Sequence, residues 1–250
     1  MVGRQLRRLG SGICFLGFMG AGGLLAAVFF PLLGILPIGK KNRQRVGLAV
    51  VHYGFATLTT FIRVFRLTRE IRFEGFERSP APTPSLYIAN HPTLIDVVLI
   101  LGRLRRCSCI VKLALFSHPF MRSTIRTAGL IPNDRGPALL DRMEHEFACG
   151  RSVLIFPEGT RSPADGIHPF TRGAAHIAVR LRVPVVPIRV CCDQSFLGKG
   201  QPWYEVPRRS PRFVLSAGEP LNFGAVAGEP IGRTIRNVNQ QLEAQFRKLV

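Results

Sequence analysis

The feature that most restricts this chain is a stretch near its start, from Leu9 to Gly39, with no charged residue and no histidine. A helix needs only about 20 apolar residues to cross the hydrocarbon of a bilayer, so the stretch is long enough to cross. It is interrupted by Gly20, Gly22, Gly23, Pro31, Gly34 and Pro37, and basic residues stand on both sides of it. Positive charge collects on the cytoplasmic side of membrane segments. Charge on both flanks therefore predicts two short helices that enter and return, leaving both ends cytoplasmic. A single crossing helix is the alternative. A cleaved signal peptide fits less well, because the apolar region is too long for one and no clear small-residue cleavage site follows it.

The charge balance supports a membrane partner. The chain of 250 residues holds 34 Lys and Arg against 15 Asp and Glu, a formal net charge of +19. Such a surface attracts polyanions: nucleic acid, anionic lipid headgroups or an acidic carrier protein. Between Met1 and Arg69 there are basic residues at 4, 7, 8, 40, 41, 43, 45, 63, 66 and 69, and no Asp or Glu. They flank apolar runs and do not lie among exposed aromatics, which points to anionic membrane lipids and away from nucleic acid. The six cysteines, Cys14, Cys107, Cys109, Cys149, Cys191 and Cys192, form no pair of C-x2-C knuckles. A structural zinc site is therefore not expected, and free thiols in a reducing compartment are.

Leu48, Val51, Phe55, Leu58 and Ile62 recur at three- and four-residue steps, one apolar stripe of a helix. This helix can lie on a bilayer or pack on the rest of the protein. From about Arg69 the pattern changes. Short apolar strands are predicted at Ile71–Phe76, Leu86–Ala89, Cys109–Val111, Val153–Phe156, Val185–Val190 and Phe213–Ser216. Helices are predicted at Pro92–Leu104, Pro137–Cys149, Arg172–Leu181 and Ile231–Leu249, with a proline-rich loop at Ser79–Pro84. Strands alternating with helices predict an α/β fold with a mixed, largely parallel sheet covered by helices. A membrane-associated helical segment over 1–68 precedes it, and a catalytic domain covers 69–250.

Two blocks carry chemistry. The first, Asn90-His91-Pro92-Thr93-Leu94-Ile95-Asp96, follows a strand and opens a helix, with Pro92 suited to a first helical position. Loops at strand ends commonly hold catalytic groups in such sheets. A histidine there can take a proton from a hydroxyl, since imidazole titrates near neutrality, and Asp96 can fix its tautomer and stabilise the imidazolium. Positions five apart do not share a helix face, so the helix start must be irregular for the pair to meet. The second block, Phe156-Pro157-Glu158-Gly159-Thr160-Arg161-Ser162, ends a buried-looking strand. Arg161 offers a planar fork suited to phosphate, Gly159 lets backbone approach a ligand, and Thr160 and Ser162 add hydroxyls. The histidines at 52, 118, 145, 168 and 176 lack partners in sequence and are given no role. No G-x-S-x-G elbow is present, which disfavours a serine hydrolase.

Together these blocks resemble the glycerolipid acyltransferases, the group that contains the 1-acyl-glycerol-3-phosphate acyltransferases. Asn90, His91 and Asp96 match the family's N-H-x4-D motif, and Phe156 to Ser162 match F-P-E-G-T-R-S in full. Gly129, Asp134 and Arg135 resemble a further motif, and Val183-Pro184-Val185-Val186-Pro187-Ile188 resembles a fourth. The order and spacing agree over about residues 69–220. Two positions depart: Thr93 stands where a serine is frequent, and Pro132-Asn133 where an aromatic–aliphatic pair is frequent. The second departure falls in a region that contributes to the acceptor site of relatives.

The resemblance implies an O-acyltransferase in which His91 is the general base and Asp96 orients it. It implies that Glu158, Gly159, Thr160 and Arg161 line the acceptor site, with Arg135 as a second phosphate ligand and Arg172 a weaker candidate. It implies no bound cofactor. The acyl donor would be a thioester of acyl carrier protein or coenzyme A, and the acceptor a 1-acyl-glycerol-3-phosphate-like lysophospholipid. The location would be the cytoplasmic face of a membrane, the inner one in a bacterium. The same chemistry on an amino-acid lipid or another hydroxylated lipid, and a non-catalytic membrane scaffold, are the competing readings.

Overall fold

The apolar N-terminus folds as one long helical arm and not as two short helices. The computed structural model describes residues 2–78, 83–118, 121–134, 137–163, 165–202, 205, 207–224 and 229–249. Helix α1 (Val2–Leu24) passes through a π-helical turn at Leu25–Phe29 directly into α2 (Phe30–Ile35). Pro31 sits in the first turn of α2. A proline removes one N–H from the helical ladder, and a wider π turn just before it absorbs the loss without ending the helix. Gly20, Gly22 and Gly23 have nothing within 4 Å of a would-be Cβ, so they leave the arm unbent by any packing demand. The chain reverses over residues 36–38, and α3 (Gly39–Val64) runs back beside the arm. Phe18 meets Phe55 with ring centroids 6.2 Å apart.

The predicted stripe of α3 is the face that packs inward. Leu48 and Ile62 are buried, and Val51, Phe55 and Leu58 lie against the core. Of the two placements the sequence allows for this helix, the structure takes packing on the sheet domain. At one end Gly47 touches α5 (Arg122–Ala128): a Cβ there would stand 2.7 Å from the Ala128 Cα. At the other end the Arg63 guanidinium donates to the Ile71 carbonyl, 2.9 Å away.

Among the described residues the sheet has seven strands, β1 (Glu70–Glu74), β2 (Leu86–Ala89), β3 (Cys107–Val111), β4 (Ile131–Pro132), β5 (Ser152–Ile155), β6 (Val185–Cys192) and β7 (Arg212–Ala217). Their order is β1-β7-β6-β2-β5-β3-β4, and every pair is parallel except β6 with β7. Each predicted strand is present, shifted by a residue or two at its ends. Short elements without an expectation include β4, α5 and 3-10 turns at Phe76–Arg78 and Leu113–Phe116.

Strand alternation builds two cores. On β2, Tyr87 and Ala89 point to one face with α3 and α4 (Asp96–Leu101), while Leu86 and Ile88 point to the other. That other face is covered by α6 (Pro137–Ala148), α7 (Gly173–Leu181) and α8 (Ile231–Leu249). All four β2 residues are fully buried, so each large side chain contributes roughly 1.5–3 kcal/mol of apolar transfer. This rigid central strand, paired on both sides, delivers the first motif at its C-terminal end.

Candidate active site

The site sits where β2 and β5 end side by side, Leu86 to Ile88 opposite Val153 to Ile155. Such strand ends are the usual location of ligand sites in open α/β sheets. Asn90 is the first residue beyond β2, and its amide takes over from the backbone ladder. Its Nδ2 donates to the Val190 carbonyl at 2.9 Å and its Oδ1 accepts from the Val190 N–H at 2.7 Å. One side chain thus satisfies both main-chain groups of a β6 residue and fixes the chain direction into His91.

Residues 92–95 form a turn, and the helix begins only at Asp96. The irregular start that the His–Asp spacing demands is therefore present, in place of a helix from Pro92. The Asp96 carboxylate is the hub of the turn. It accepts from the Thr93 N–H at 2.7 Å, from the Thr93 hydroxyl at 2.5 Å and from His91 Nδ1 at 2.9 Å. Asp96 has no exposed surface. Burial pushes its carboxyl above the usual range, and the hydrogen bonds from His91 and Thr93 oppose that rise. The imidazole stacks on Phe156, ring centroids 4.3 Å apart and planes 27° apart. With Nδ1 held by Asp96, Nε2 is the ring nitrogen left for a substrate, and the side chain keeps 19% exposure.

Glu158 ties the two motifs together. Its Oε1 accepts from the Ser162 hydroxyl at 2.5 Å and from the His91 N–H at 3.2 Å, and its Oε2 accepts from the His168 N–H at 2.8 Å. The Ser162 N–H returns a bond to the His91 carbonyl at 2.7 Å. The buried carboxylate therefore aligns backbone around the histidine. Gly159 adopts φ +68°, a left-handed conformation that favours glycine; it closes a turn in which its N–H meets the Phe156 carbonyl at 3.0 Å. Thr160 follows, half-buried. Arg161 Nη1 donates to the carbonyls of Leu197 at 2.9 Å and Gly198 at 2.6 Å. Arg172 is exposed at the start of α7, and Arg135 lies outside the described residues.

A cavity of about 410 Å³ opens beside this turn, with Pro92, Thr93, Ser162, Cys192, Phe196 and Lys199 on its walls. The Cys192 thiol is pushed up to about 12 by burial, so it stays protonated and is a poor nucleophile. The Ser162 hydroxyl is bound to Glu158 and the His91 N–H. Among the described residues beside the cavity, His91 is the candidate general base, with its Nδ1 held by Asp96. Sequence spacing identified His91 and Asp96 and missed the parts played by Thr93, Phe156, Asn90 and the loop at 197–198. Asn90 and Phe156 were flagged as motif members; nothing in the sequence marked the loop.

Several comparisons agree with this arrangement. A sequence profile of the Acyltransferase family matches residues 70–191, from β1 to the end of β6. The 1-acyl-sn-glycerol-3-phosphate acyltransferase of Saccharomyces cerevisiae is 27% identical over 97% of this chain and 78% of its own length. The mouse protein named 1-acyl-sn-glycerol-3-phosphate acyltransferase alpha is 25% identical over 90% of this chain and 77% of its own. The chloroplastic BAT2 protein of Brassica napus, with the same enzyme name, is 32% identical over 55% of this chain, and the match spans only 41% of the plant protein. In fold, the chain is similar to the crystal structure of the 1-acyl-sn-glycerophosphate acyltransferase PlsC from Thermotoga maritima. That likeness has a TM-score of 0.69 and 22% identity, over 98% of this chain and 97% of that one. The matched profile encloses both motif blocks and the strands that aim them; over residues 70–191 the chain is similar to the Acyltransferase family, and the relatives and the fold neighbour support the glycerolipid acyltransferases as the group it resembles.

Proposed function

We propose that this protein transfers a fatty acyl group from a thioester to the free hydroxyl of a 1-acyl-glycerol-3-phosphate-like lysophospholipid at a membrane surface. The observation that carries the reading is the His91–Asp96 contact of 2.9 Å at the C-terminal end of β2. His91 Nε2 takes the proton of the acceptor hydroxyl while Asp96 stabilises the imidazolium. The acceptor oxygen attacks the thioester carbonyl, and a tetrahedral oxyanion forms. The C–S bond then breaks, the ester forms, and the departing thiolate takes the proton back from His91. No covalent acyl-enzyme is needed, which agrees with the protonated Cys192 and the engaged Ser162.

The names of the relatives support the acceptor, and the basic N-terminus supports a bilayer as the place where it is met. Arg161 is the phosphate ligand of this proposal, with Thr160 before it in the chain; Arg135 is a second ligand by resemblance alone. Its Nη1 is anchored to Leu197 and Gly198, so the rest of the guanidinium is the part offered to phosphate. Glu158 and Gly159 shape the loop that presents it. The donor is acyl carrier protein or coenzyme A, and the site faces the cytoplasm.

The test is thiol release from both donors with purified wild type and His91→Ala, across lysophosphatidate and phosphate-free acceptors. Loss of a positioned general base should cost on the order of 10²–10⁴ in turnover, with membrane association unchanged. Turnover of His91→Ala near wild type would overturn the mechanism. Release only with a phosphate-free acceptor would keep the chemistry and remove the lysophosphatidate assignment.

A further inference from the structure

A second cavity, of about 430 Å³, lies far from the chemistry. It is lined by Lys41, Arg45 and Tyr53 of α3, by Arg105 and Arg106 just before β3, and by Arg151 just before β5. Cys107 pairs with Ser152 in the sheet, so the last two of these arginines enter side by side at the N-terminal ends of parallel strands. From Arg151 to Phe156, at about 3.3 Å per residue, the strand carries the chain about 16 Å toward the catalytic loops. The cavity is therefore at the opposite end of the sheet from His91.

Its charge is unbalanced. No Asp or Glu lines it. Arg151 is neutralised from behind, by a paired contact to Glu146 at 2.6 and 2.8 Å and a bond to Gln44. The Arg106 guanidinium donates to the Cys149 carbonyl, and Arg105 lies over the Tyr53 ring at 5.9 Å. Among the described residues, Lys41, Arg45, Arg105 and Arg106 make no ion pair with a carboxylate. Concentrating four uncompensated cations around one concave site costs stability by self-repulsion unless an anion fills it. Guanidinium groups that converge in this way match the oxygens of a phosphate. Tyr53 lines the cavity and is exposed, and Leu36 and Ile38 are exposed at the turn just before α3, the helix that supplies Lys41 and Arg45.

We propose that this cavity holds the phosphate of an anionic membrane phospholipid, with the lipid tails against the apolar turn. This would be a lipid contact separate from the acceptor site, made where the helical arm meets the sheet domain. The inference rests on the membrane reading proposed above.

Co-sedimentation of the full chain with vesicles of phosphatidylcholine, alone or mixed with phosphatidylglycerol, tests it. The variants are Lys41→Gln/Arg45→Gln and, as a control with the same charge change, Arg233→Gln/Arg236→Gln on the exposed face of α8. Wild type and control should prefer the anionic vesicles. The cavity variant should lose about 25-fold of that preference, at about fivefold for each charge near a surface, and bind neutral vesicles as before. An equal loss in both variants overturns the proposal, because net charge would then set the preference. Wild type that binds neither vesicle removes the membrane reading and this proposal with it. Wild type that prefers anionic vesicles while the cavity variant is unaffected removes this site alone. Inorganic phosphate supplies the last arm. If it raises the melting temperature of wild type and not of the cavity variant, and the variant keeps its vesicle preference, the site belongs to free phosphate and the lipid assignment falls.

Discussion

In the mechanism proposed above Asp96 is charged to serve His91, yet it has no exposed surface, and burial pushes its pKa up despite two donating neighbours. A carboxyl whose folded pKa stands above its unfolded value holds its proton more tightly in the fold. Folding is then favoured below the ordinary carboxylate pKa and loses stability as pH rises through the folded value. Asp96→Asn removes that buried charge while keeping an oxygen for the His91 N–H. It should melt at or above wild type at neutral pH, and its advantage should shrink as pH falls through the raised folded value of Asp96, where wild type regains its proton, toward the ordinary carboxylate range. Its turnover should fall by about 10⁴, as when a catalytic histidine loses its anionic partner. Thermal scans of both proteins across this range check the sign; a variant whose deficit does not change with pH would show that the buried charge is not what costs stability. The His–Asp pairing was legible in sequence because both residues lie in one seven-residue block. The role of Asn90 was not, because its partner Val190 is 100 positions away. The same holds for Arg161, whose anchoring carbonyls at 197 and 198 carry no side-chain signature. Glu158 was read as facing the acceptor, and it accepts from three protein donors, a set that only the folded loops assemble.

At the scale of elements, the central strands β2, β3, β5 and β6 were legible because they are largely buried on both faces and read as short apolar runs. The helix after β2 was expected four residues early, since Pro92 favours a helix start while the Asp96 carboxylate instead captures Thr93 and holds a turn. The two-residue β4 and the seven-residue α5 are too short for periodicity to reveal. Yet α5 is the surface that receives the arm. The Ser123 hydroxyl donates to the Ala26 carbonyl at 3.0 Å and the Thr127 hydroxyl to the Phe30 carbonyl at 3.3 Å. Gly47 of α3 touches Ala128 on the same helix. Gly47→Ala would place a methyl against α5 backbone, 3.0 Å from the Thr127 carbonyl oxygen, and the helices must part to admit it. The expected cost is about 1–3 kcal/mol, typical of overpacking, read as a lower melting temperature. Turnover per folded molecule should change little, because α5 touches none of the groups around His91. A variant as stable as wild type would mean that α3 slides on α5 without loss.

For the whole molecule, the question is how a helical arm long enough to span a bilayer relates to a domain that it also packs against. Phe30 and Leu33 are buried, and with Ala128 they form a small core of their own. A helix fixed in this way along one side cannot be ringed by lipid. Its free side carries Leu9, Ile13, Leu16, Leu24, Val28, Leu32 and Ile35, all exposed and spaced in three-, four- and eight-residue steps, a single helical stripe. Docking of the stretch 26–33 with an apolar face left free fits a helix lying in the membrane interface, which is the placement we propose for the arm. The sequence predicted the apolar length but put a return inside it, where the structure has one continuous arm to Ile35; which face would be left exposed depended on α5, which it did not reveal. Truncating the arm would confuse anchoring with folding, because it would also remove Phe30 and Leu33. Leu16→Asp with Leu24→Asp changes only exposed positions, 67% and 66% accessible. The melting temperature in detergent-free buffer should therefore hold. Affinity for neutral vesicles should drop by about tenfold or more for each residue, the loss expected when a leucine no longer enters hydrocarbon. Wild type should also leave membranes in alkaline carbonate, as an interfacial helix does and a spanning one does not. Retention in carbonate, with vesicle binding of the double variant intact, would make the arm a true crossing segment and require it to leave α5 in the bilayer.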